Sequence, residues 1–499
     1  MSLLGIDIGS SQCKAIAFAS SGAILATATQ DYAPSFPAPG RAEMDPRTFW
    51  EAFSVATRRV AAQVAADPIA ALAISSHGET FFPADAQGEP IGPAMLNIDN
   101  RALAEAQWWE ETCGRAQIFD ITGLVAHPMY PMAKIRWLQS QQPAVFARTA
   151  RCMSVIDYIM HRLGVSPYID FSLASRFMAF DVRARRWSTA LLAAADLTAE
   201  RLPEPVPAGA IAGRLSRTAA ADLGLSPAIP VVVGGHDQPA GALGVGAVAP
   251  GMVADSAGTY ECLLAAVNAP SLDEAALAAC LNSGCHVVPG LYATIAYFPA
   301  GLMVKWFRDL FAGDEDDQTF YRTMEARAPA GATGLCITPH LIGTSVPSFD
   351  PIVTGVIAGL TPTTDRYALY KGVLEGVACE LSIVTELLAR AVGSFPAMRI
   401  TGGGARSRLG VQLRAALTGC RMELMQSREA VCLGTALLAG VAAGVYGSHA
   451  EAAARAVTVT EAVEPDPTWA AAYARQAAQY RLLYPAFAPV CHAGGALTV

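Results

Sequence analysis

The stretch "LLGIDIGSSQCKAIAF", residues 3–18, has an apolar run on each side of a turn that holds a carboxylate, a glycine and two hydroxyls. This pattern predicts a β-hairpin. The stretch "DSAGTYECLLA", residues 255–265, has the same order of features about half the chain length further on. We interpret the two stretches as an internal duplication of one domain type.

The rest of the chain alternates between two kinds of segment. Short β-branched runs end in glycine turns, and stretches of helical period, such as residues 48–65 and 367–389, lie between them. This alternation predicts an α/β fold. The duplication predicts an N-terminal domain over residues 1–246 and a C-terminal domain over residues 247–499, with the boundary in "GVGAVAPG".

Composition narrows the function classes. The chain has 499 residues, 53% of them hydrophobic, and a formal net charge of −8 with scattered Lys and Arg. Nucleic acid and anionic membrane surfaces are therefore disfavoured as partners. The first residues lack the basic and apolar regions of a signal peptide, and we therefore expect no secretory signal. Eleven cysteines without a C-x-x-C pair indicate reduced thiols and a cytoplasmic location, and the closest pair, Cys280 and Cys285, is interpreted as apolar filler.

The segment "VCLGTALLAGVAAGVYGSHA", residues 431–450, is uncharged over a length that could span a bilayer. Four glycines dilute its hydrophobicity and no basic flank orients it. We therefore expect a buried helix of small residues and no membrane span.

The hairpin turns favour phosphate binding. A carboxylate and two hydroxyls can hold a hydrated divalent cation, and unhindered N–H groups can meet phosphate oxygens. An ordinary hairpin has the same residues. Because there are two such turns, one in each half of the chain, we expect them to bind one polyphosphate between the two domains.

The stretch "RITGGGARSRLGVQLRAAL", residues 399–417, places three glycines between a predicted strand and a predicted helix. This arrangement favours an α-phosphate or adenosine at the helix N-terminus, while tight strand–helix packing is the alternative. The sequence contains no P-loop pattern and no dinucleotide-binding pattern.

Polar residues follow two further apolar runs. The stretches "ISSHGETFFPAD" and "LNIDNRA" supply donors and acceptors of the kinds that a polyhydroxylated ligand needs, although each could be an ordinary satisfied loop residue. The candidates are Ser76, His77, Glu79, Asn97, Asp99 and Arg101.

In "VVVGGHDQPAGALG", residues 231–244, a predicted buried strand runs into two glycines and then Asp237. The glycines Gly234 and Gly235 suggest that a ligand approaches the backbone here. The alternative is a structural Asp237 that caps the helix begun by Pro239.

On these residues, in this order, the chain resembles the FGGY family of carbohydrate kinases over nearly its whole length, in the branch with L-fuculose kinases and xylulose kinases. "GIDIGSSQCK" and "SAGTYE" resemble the two phosphate motifs of the family, "TGGGARSRLGVQL" its adenosine motif and "GGHDQPAGALGVG" its catalytic-aspartate motif. Further matching segments are "MYPMAKIRWLQS", "DYIMHRLG", "DFSLASRFMAFD", "LEGVACEL" and "EAVCLGTALLAG".

The resemblance implies two ribonuclease-H-like domains of the actin type with a central cleft, with sugar on the N-terminal domain and ATP mostly on the C-terminal one. It implies ATP-dependent phosphorylation of a sugar hydroxyl, with Asp237 as general base and Gln238 holding a hydroxyl. Asp7 would hold Mg²⁺ directly or through water. The implied nucleotide-binding residues are Asp7, Gly9, Ser10, Ser11, Lys14, Gly258, Thr259, Gly402, Gly403, Gly404 and Ser407.

Three positions depart from the family pattern. Gly78 stands where glycerol kinases have arginine, Asn97 where many relatives have tryptophan, and Ser407 where some relatives have an adenosine-contacting asparagine. Glycerol is thereby disfavoured, and we expect a five- or six-carbon ketose, L-fuculose- or xylulose-like, with erythritol-like polyols open. Many relatives are dimers, which leaves a homodimer open. The alternative functions are an actin-like ATPase or chaperone and a non-catalytic sugar sensor.

Overall fold

Two large β-sheets organise the chain in the computed structural model, which describes residues 2–493. The first sheet has six strands and the second has seven. All strands of the first sheet precede Asp237, and all strands of the second follow Met252.

The first sheet consists, in chain order, of β1 (Ser2–Ile8), β2 (Gln12–Ala19), β3 (Ile24–Asp31), β4 (Ile69–Ser76), β5 (Ile211–Arg214) and β6 (Pro230–His236). In space the order is β5-β6-β4-β1-β2-β3. Strand β1 forms a hairpin with β2 and runs parallel to β4, and β4 runs parallel to β6. The three parallel strands therefore end at one edge, and this edge carries Asp7, Ser76 and Asp237.

The second sheet consists of β7 (Val253–Ala257), β8 (Tyr260–Val267), β9 (Asn282–Cys285), β10 (Tyr292–Pro299), β11 (Ala397–Thr401), β12 (Arg421–Met425) and β13 (Val459–Val463). Its order is β9-β10-β8-β7-β11-β12-β13. The hairpin β7–β8 beside the parallel strand β11 repeats the arrangement of β1–β2 beside β4. Both predicted hairpins thus form, and each is part of the centre of its sheet.

Five helices are used below: α1 (Pro46–Gln63), α2 (Asp237–Gly244), α3 (Arg366–Val392), α4 (Arg408–Thr418) and α5 (Ala430–Ala442). Helices α1 and α3 match the two predicted helical stretches. The remaining helices are Leu103–Cys113, Arg115–Thr122, Pro131–Gln141, Pro143–Arg148, Val155–Arg162, Phe171–Ala174, Thr189–Ala194, Arg217–Leu223, Glu274–Ala278, Gly301–Phe311, Asp317–Ala326, His449–Ala456, Pro467–Tyr480 and Leu483–Ala493.

Short strands form five additional pairs outside the large sheets. They are Glu43–Met44 with Ala94–Met95, Phe82–Ala84 with Arg151–Met153, Tyr168–Asp170 with Glu204–Val206, Phe180–Asp181 with Arg186–Trp187, and Cys336–Ile337 with Ile357–Ala358.

Helices α2 and α5 cross between the two sheets. Although α5 belongs to the second half of the chain, it packs on β1, β4 and β6 of the first sheet, and α2 contacts β7 and β8 of the second. The crossing depends on glycine, since a Cβ on Gly244 would lie 1.8 Å from the carbonyl oxygen of Ala430 and one on Gly434 would lie 1.8 Å from that of Ala240. The two domains are therefore joined by closely packed backbones.

The segment 431–450 behaves largely as the sequence predicts. Its helical part, α5, ends at Ala442 and most of its side chains are buried in the protein core. Among residues 2–493, no helix has the length and apolar character needed to cross a membrane. All eleven cysteines are unpaired thiols, and both Cys280 and Cys285 are buried.

Candidate active site

Asp237 lies at the junction of the two domains, where β6 ends and α2 begins. His236 occupies the N-cap position and no side chain caps the helix, so Asp237 does not cap α2 as the structural alternative requires. Its Oδ1 lies 3.1 Å from Nε2 of His236, but no hydrogen bond of acceptable geometry reaches this buried oxygen. An unpaired carboxylate oxygen at a domain junction can accept a proton from a ligand hydroxyl.

The surroundings make this carboxylate a stronger base than a free aspartate. Burial, and then the negative charges of Asp7 and Glu79, raise the pKa of Asp237 well above its ordinary value. Burial also lowers the pKa of His236 to about 3. The neighbouring imidazole is therefore neutral near pH 7 and forms no ion pair with Asp237.

The two glycines before His236 have a packing role. A Cβ on Gly234 would lie 2.1 Å from the carbonyl oxygen of Ile74, and one on Gly235 would lie 2.5 Å from Cγ1 of Val287. These contacts are with β4 and with the second domain. The sequence suggests that these glycines leave room for a ligand. In the structure, the space beside them is filled by neighbouring protein atoms, so close packing of the strand explains the two glycines.

The first predicted phosphate turn is closed by a hydrogen bond from the Gly9 N–H to the carbonyl of Gln12, at 2.9 Å. Ser10 and Ser11 are exposed at its tip. Asp7 Oδ1 accepts a hydrogen bond from Ser75 Oγ at 3.2 Å, and burial raises the pKa of Asp7 to about 6. The turn thus presents hydroxyls and N–H groups beside a carboxylate.

Lys14 completes this hairpin and has a partner in the other half of the chain. Its Nζ lies 2.8 Å from Oε2 of Glu429, the residue that precedes α5. Glu429 was not predicted as a site residue. It lies within the segment "EAVCLGTALLAG", but the sequence contains no signal that pairs it with Lys14.

The second phosphate turn and the glycine triplet lie against each other. Gly402 has a φ of +87°, and a Cβ there would lie 2.7 Å from the carbonyl oxygen of Ala257. A Cβ on Gly404 would lie 2.7 Å from the Cβ of Ala257. Gly403 is exposed, and a Cβ built on it would lie 4.0 Å from its nearest neighbour, the carbonyl oxygen of Ala257. Tight packing, the alternative interpretation, therefore accounts for two of the three glycines, and Gly403 is open to a ligand.

Gly258 and Thr259 are held by the start of the helix Gly301–Phe311. The N–H of Gly301 donates to the carbonyl of Gly258 and the N–H of Ala300 to that of Thr259, both at 3.1 Å. Ser407, predicted near adenosine, is the N-cap of α4, and its hydroxyl accepts from the N–H of Gly410 at 2.9 Å. This hydroxyl already has a structural role.

His77 is firmly held by its own loop. Its Nδ1 lies 2.9 Å from the carbonyl of Ile8 and its Nε2 lies 2.7 Å from Oγ1 of Thr80. Burial lowers the pKa of His77. Ser76 Oγ donates to the carbonyl of His77 at 3.2 Å. Both side chains are therefore satisfied within the protein, as in the structural interpretation of these residues.

Glu79 pairs with a residue that the sequence did not single out. Arg176 Nε donates to Glu79 Oε1 at 2.5 Å, and Arg176 Nη1 donates to Oδ1 of Asn282, on the second domain, at 2.9 Å. Burial is the largest single effect and acts to raise the pKa of Glu79, but the charge and hydrogen bond of Arg176, together with the charges of His236 and Lys134, lower the pKa overall. Glu79 also has a φ of +62°, which is rare for a residue with a side chain.

A buried lysine fixes the two polar loops relative to each other. Lys134 Nζ donates to the carbonyl oxygens of Leu96 at 2.6 Å, Glu79 at 2.9 Å and Met95 at 3.4 Å. Burial lowers its pKa to about 7. The sequence signal for this role is a lysine on the apolar face of the helix Pro131–Gln141.

Asp99 and Arg101 are paired with each other. Asp99 Oδ1 accepts from Arg101 Nε at 2.8 Å, and Arg101 Nη2 also donates to Glu43 Oε1 at 2.6 Å. Asn97 differs, because its Oδ1 is buried without a hydrogen-bond partner. Among the residues of the second polar loop, Asn97 therefore has a free acceptor for a ligand.

Comparison with known proteins decides the family. The profile of the FGGY family of carbohydrate kinases, N-terminal domain, matches residues 2–244, and that of the C-terminal domain matches residues 253–443. The chain belongs to the FGGY family of carbohydrate kinases. The predicted fold class and the resemblance to this family are confirmed, and the boundary at residue 246 remains a prediction.

Relatives within the FGGY family differ in substrate. The chain is 28% identical to a gluconokinase of Bacillus licheniformis over 89% of this chain and 88% of the relative. It is 29% identical to a xylulose kinase of Escherichia coli (strain K12) over 98% of this chain and 99% of the relative. The structure of ligand-bound xylulose kinase from Lactobacillus acidophilus superposes with a TM-score of 0.90 at 23% identity and covers 98% of each chain. This FGGY protein is thus an ATP-dependent carbohydrate kinase.

Proposed function

We propose that the chain transfers the γ-phosphoryl group of ATP to a hydroxyl of a five- or six-carbon ketose, L-fuculose- or xylulose-like, with Asp237 as the general base. The observation that carries this proposal is the unpaired Oδ1 of Asp237 at the junction of the two domains. Family membership favours this function over an actin-like ATPase or chaperone and over a sugar sensor.

In this mechanism Asp237 accepts the proton of the attacking hydroxyl as the bond to phosphorus forms. General base catalysis of this kind supplies about 10²- to 10⁴-fold in rate. The raised pKa of Asp237 strengthens its affinity for that proton. Glu79, Asn97 and Gln238 would hold the other hydroxyls of the sugar, and the helix start places Gln238 next to the base.

The nucleotide would bind between the two hairpins. N–H groups and hydroxyls of the first turn would meet the β- and γ-phosphates together with Lys14, and Gly258 and Thr259 would meet them from the other domain. Gly403 would lie near the α-phosphate and adenosine. Closure of the domains would exclude water from the transferred group.

Asp7 fits the role of an Mg²⁺ ligand by its donor chemistry, since carboxylate and hydroxyl oxygens suit this ion. Among residues 2–493, no three His, Cys, Asp or Glu side chains are arranged to hold a metal. Asp7 would therefore share the ion with phosphate oxygens and water, and bound Mg²⁺ would neutralise phosphate charge.

The loop geometry supports an acceptor other than glycerol. A Cβ on Gly78 would lie 3.1 Å from Cγ of Arg176 and 3.1 Å from Cδ2 of His236. An arginine at this position, as in glycerol kinases, would therefore require the side chains of Arg176 and His236 to shift. Use of ATP and eleven free thiols support a cytoplasmic location.

The proposal is tested by ADP release with MgATP against L-fuculose, D- and L-xylulose, D- and L-ribulose, L-rhamnulose, erythritol and glycerol. One ketose should give turnover of roughly 1–100 s⁻¹ above a no-sugar control. ADP release that no sugar changes would contradict the kinase proposal, and turnover of glycerol alone would contradict the ketose assignment.

A further inference from the structure

We propose that the Glu79–Arg176 ion pair is the specificity element that restricts the sugar site to uncharged sugars and excludes sugar acids such as gluconate. The inference rests on the proposed sugar-kinase function and adds the charge class of the substrate. It concerns a property in which relatives differ, because gluconokinase and xylulose kinase are both among them.

Arg176 contacts the loop that carries Glu79, and Glu79 neutralises its charge. The side chain of Arg176 is 8% exposed and that of Glu79 is 6% exposed. The guanidinium also donates to Asn282 and lies over the ring of Tyr130 at 5.3 Å. A substrate carboxylate could bind Arg176 only by displacing Glu79, which would leave a buried carboxylate without its counter-charge.

The other two buried cations of this region are compensated in the same way. Arg101 donates to both Asp99 and Glu43. Lys134 donates to three backbone carbonyls. Neither presents an unsatisfied charge to a ligand.

The other ionisable side chains at the site supply no cation for a sugar carboxylate. Asp7 and Asp237 act on each other electrostatically, and Glu79 acts on Asp237 as well. Burial lowers the pKa of His127 to about 4 and that of His236 to about 3, so these imidazoles add no positive charge near pH 7. A sugar carboxylate would thus find no uncompensated cation among the buried side chains that surround the polar loops, whereas the hydroxyls of an uncharged ketose need none.

The test compares gluconate with the ketose panel in the unaltered protein and in Glu79→Gln. In the unaltered protein, we expect ADP release with a ketose and no rise above the no-sugar control with gluconate. In Glu79→Gln, Arg176 becomes available to a carboxylate, and the ratio of kcat/KM for gluconate to that for the ketose should rise about 10- to 100-fold, the range of a hydrogen bond to a charged group.

The matched control is Glu261→Gln. Glu261 and Arg414 form a second buried pair, with Arg414 Nε and Nη2 donating to Glu261 at 2.8 and 2.6 Å, on the nucleotide side of the molecule. Freeing Arg414 should leave the gluconate-to-ketose ratio unchanged, whatever it does to turnover.

Two results would overturn the inference while leaving the proposed function intact. The first is gluconate turnover in the unaltered protein within tenfold of the best ketose, which needs no variant. The second is a Glu79→Gln protein that is folded and turns over the ketose with the unaltered ratio. ADP release that neither ketoses nor gluconate stimulate would instead overturn the kinase proposal, and this inference with it.

Discussion

Lys14 Nζ lies 2.8 Å from Glu429 Oε2, although the residues are 415 positions apart in the chain. The contact joins the first phosphate hairpin to the residue before α5. The side chains are 23% and 32% exposed. A pair this accessible contributes roughly 0–1 kcal/mol, so Lys14 can exchange Glu429 for a phosphate oxygen at little cost.

Lys14→Met should raise the KM for ATP by about 10- to 100-fold, because a charge-assisted hydrogen bond to phosphate is lost. The KM for sugar should change by no more than a few-fold. Glu429→Gln should change the KM for ATP only a few-fold, since it removes a weak competitor. Steady-state kinetics with each substrate varied in turn measures both, and equal effects of the two changes would contradict the role of Lys14.

Asp237→Asn should lower kcat by about 10²- to 10⁴-fold and leave sugar affinity within a few-fold. The amide keeps the shape of the side chain but cannot take a proton. Kinetics gives kcat, and calorimetric titration with the sugar gives affinity. A variant that retains near-normal turnover would remove Asp237 from the role of base.

Lys134→Met should raise the KM for sugar while leaving the KM for ATP nearly unchanged, because the lysine ties the loop at Glu79 to the loop at Leu96. The control is Lys371→Met. Lys371 is also buried and donates to two carbonyls, those of Pro329 and Gly331 at 2.7 and 2.5 Å, but in the second domain. The Lys371→Met variant should have a lower thermal stability but an unchanged KM for sugar. An equal rise in the sugar KM of both variants would show a general folding defect.

Gly244→Ala should destabilise the protein by about 1–3 kcal/mol or more, since the new Cβ would lie 1.8 Å from the carbonyl oxygen of Ala430. Gly241→Ala in the same helix is the control. Its Cβ would lie 3.4 Å from Val431 Cγ2, an ordinary contact, and alanine improves helix propensity by up to about 1 kcal/mol. Urea unfolding of both variants measures the difference, and equal stabilities would mean that the crossing is less tight than described.

Asp157→Asn should flatten the pH dependence of stability. Burial raises the pKa of Asp157 from 3.8 to about 7. The native state therefore holds a proton that the unfolded chain has lost, and this contribution is full below pH 4 and disappears as the pH rises to 7. The slope from one such group is at most about 1.4 kcal/mol per pH unit. Unfolding free energies measured by urea from pH 4.5 to 7.5 test this, and an unchanged slope would contradict the assignment.

Local sequence was enough to predict the two hairpins and the position of Asp237 after a buried strand. Each depends on residues that are neighbours in the chain, such as Asp7 and Gly9, and on the alternation of apolar runs. The family motifs added the order of the domains.

The long-range partners were not predictable in this way. Arg176 is 97 positions from Glu79 and 106 from Asn282, and no periodicity connects residues so far apart. The sequence pattern indicates only that Gly434 dilutes the hydrophobicity of a helix, whereas in the structure Gly434 allows α5 to pack closely on α2. The hydrogen bonds that His77 makes to Ile8 and Thr80, and the ion pair of Asp99 with Arg101, likewise form only when the loops are folded.

The placement of α5 on the first sheet also bears on how the protein is made. Strand β6 ends at His236 and β1 at Ile8, which are synthesised 194 and 422 residues before the start of α5, the helix that covers β1, β4 and β6, at Ala430. During this interval their apolar face has no native cover, so the first domain completes its core only after residue 442 has been synthesised. An N-terminal fragment that ends with α2 should therefore aggregate when it is alone. It should bind an added C-terminal half, because that half supplies α5, the helix that covers the exposed face of the first sheet.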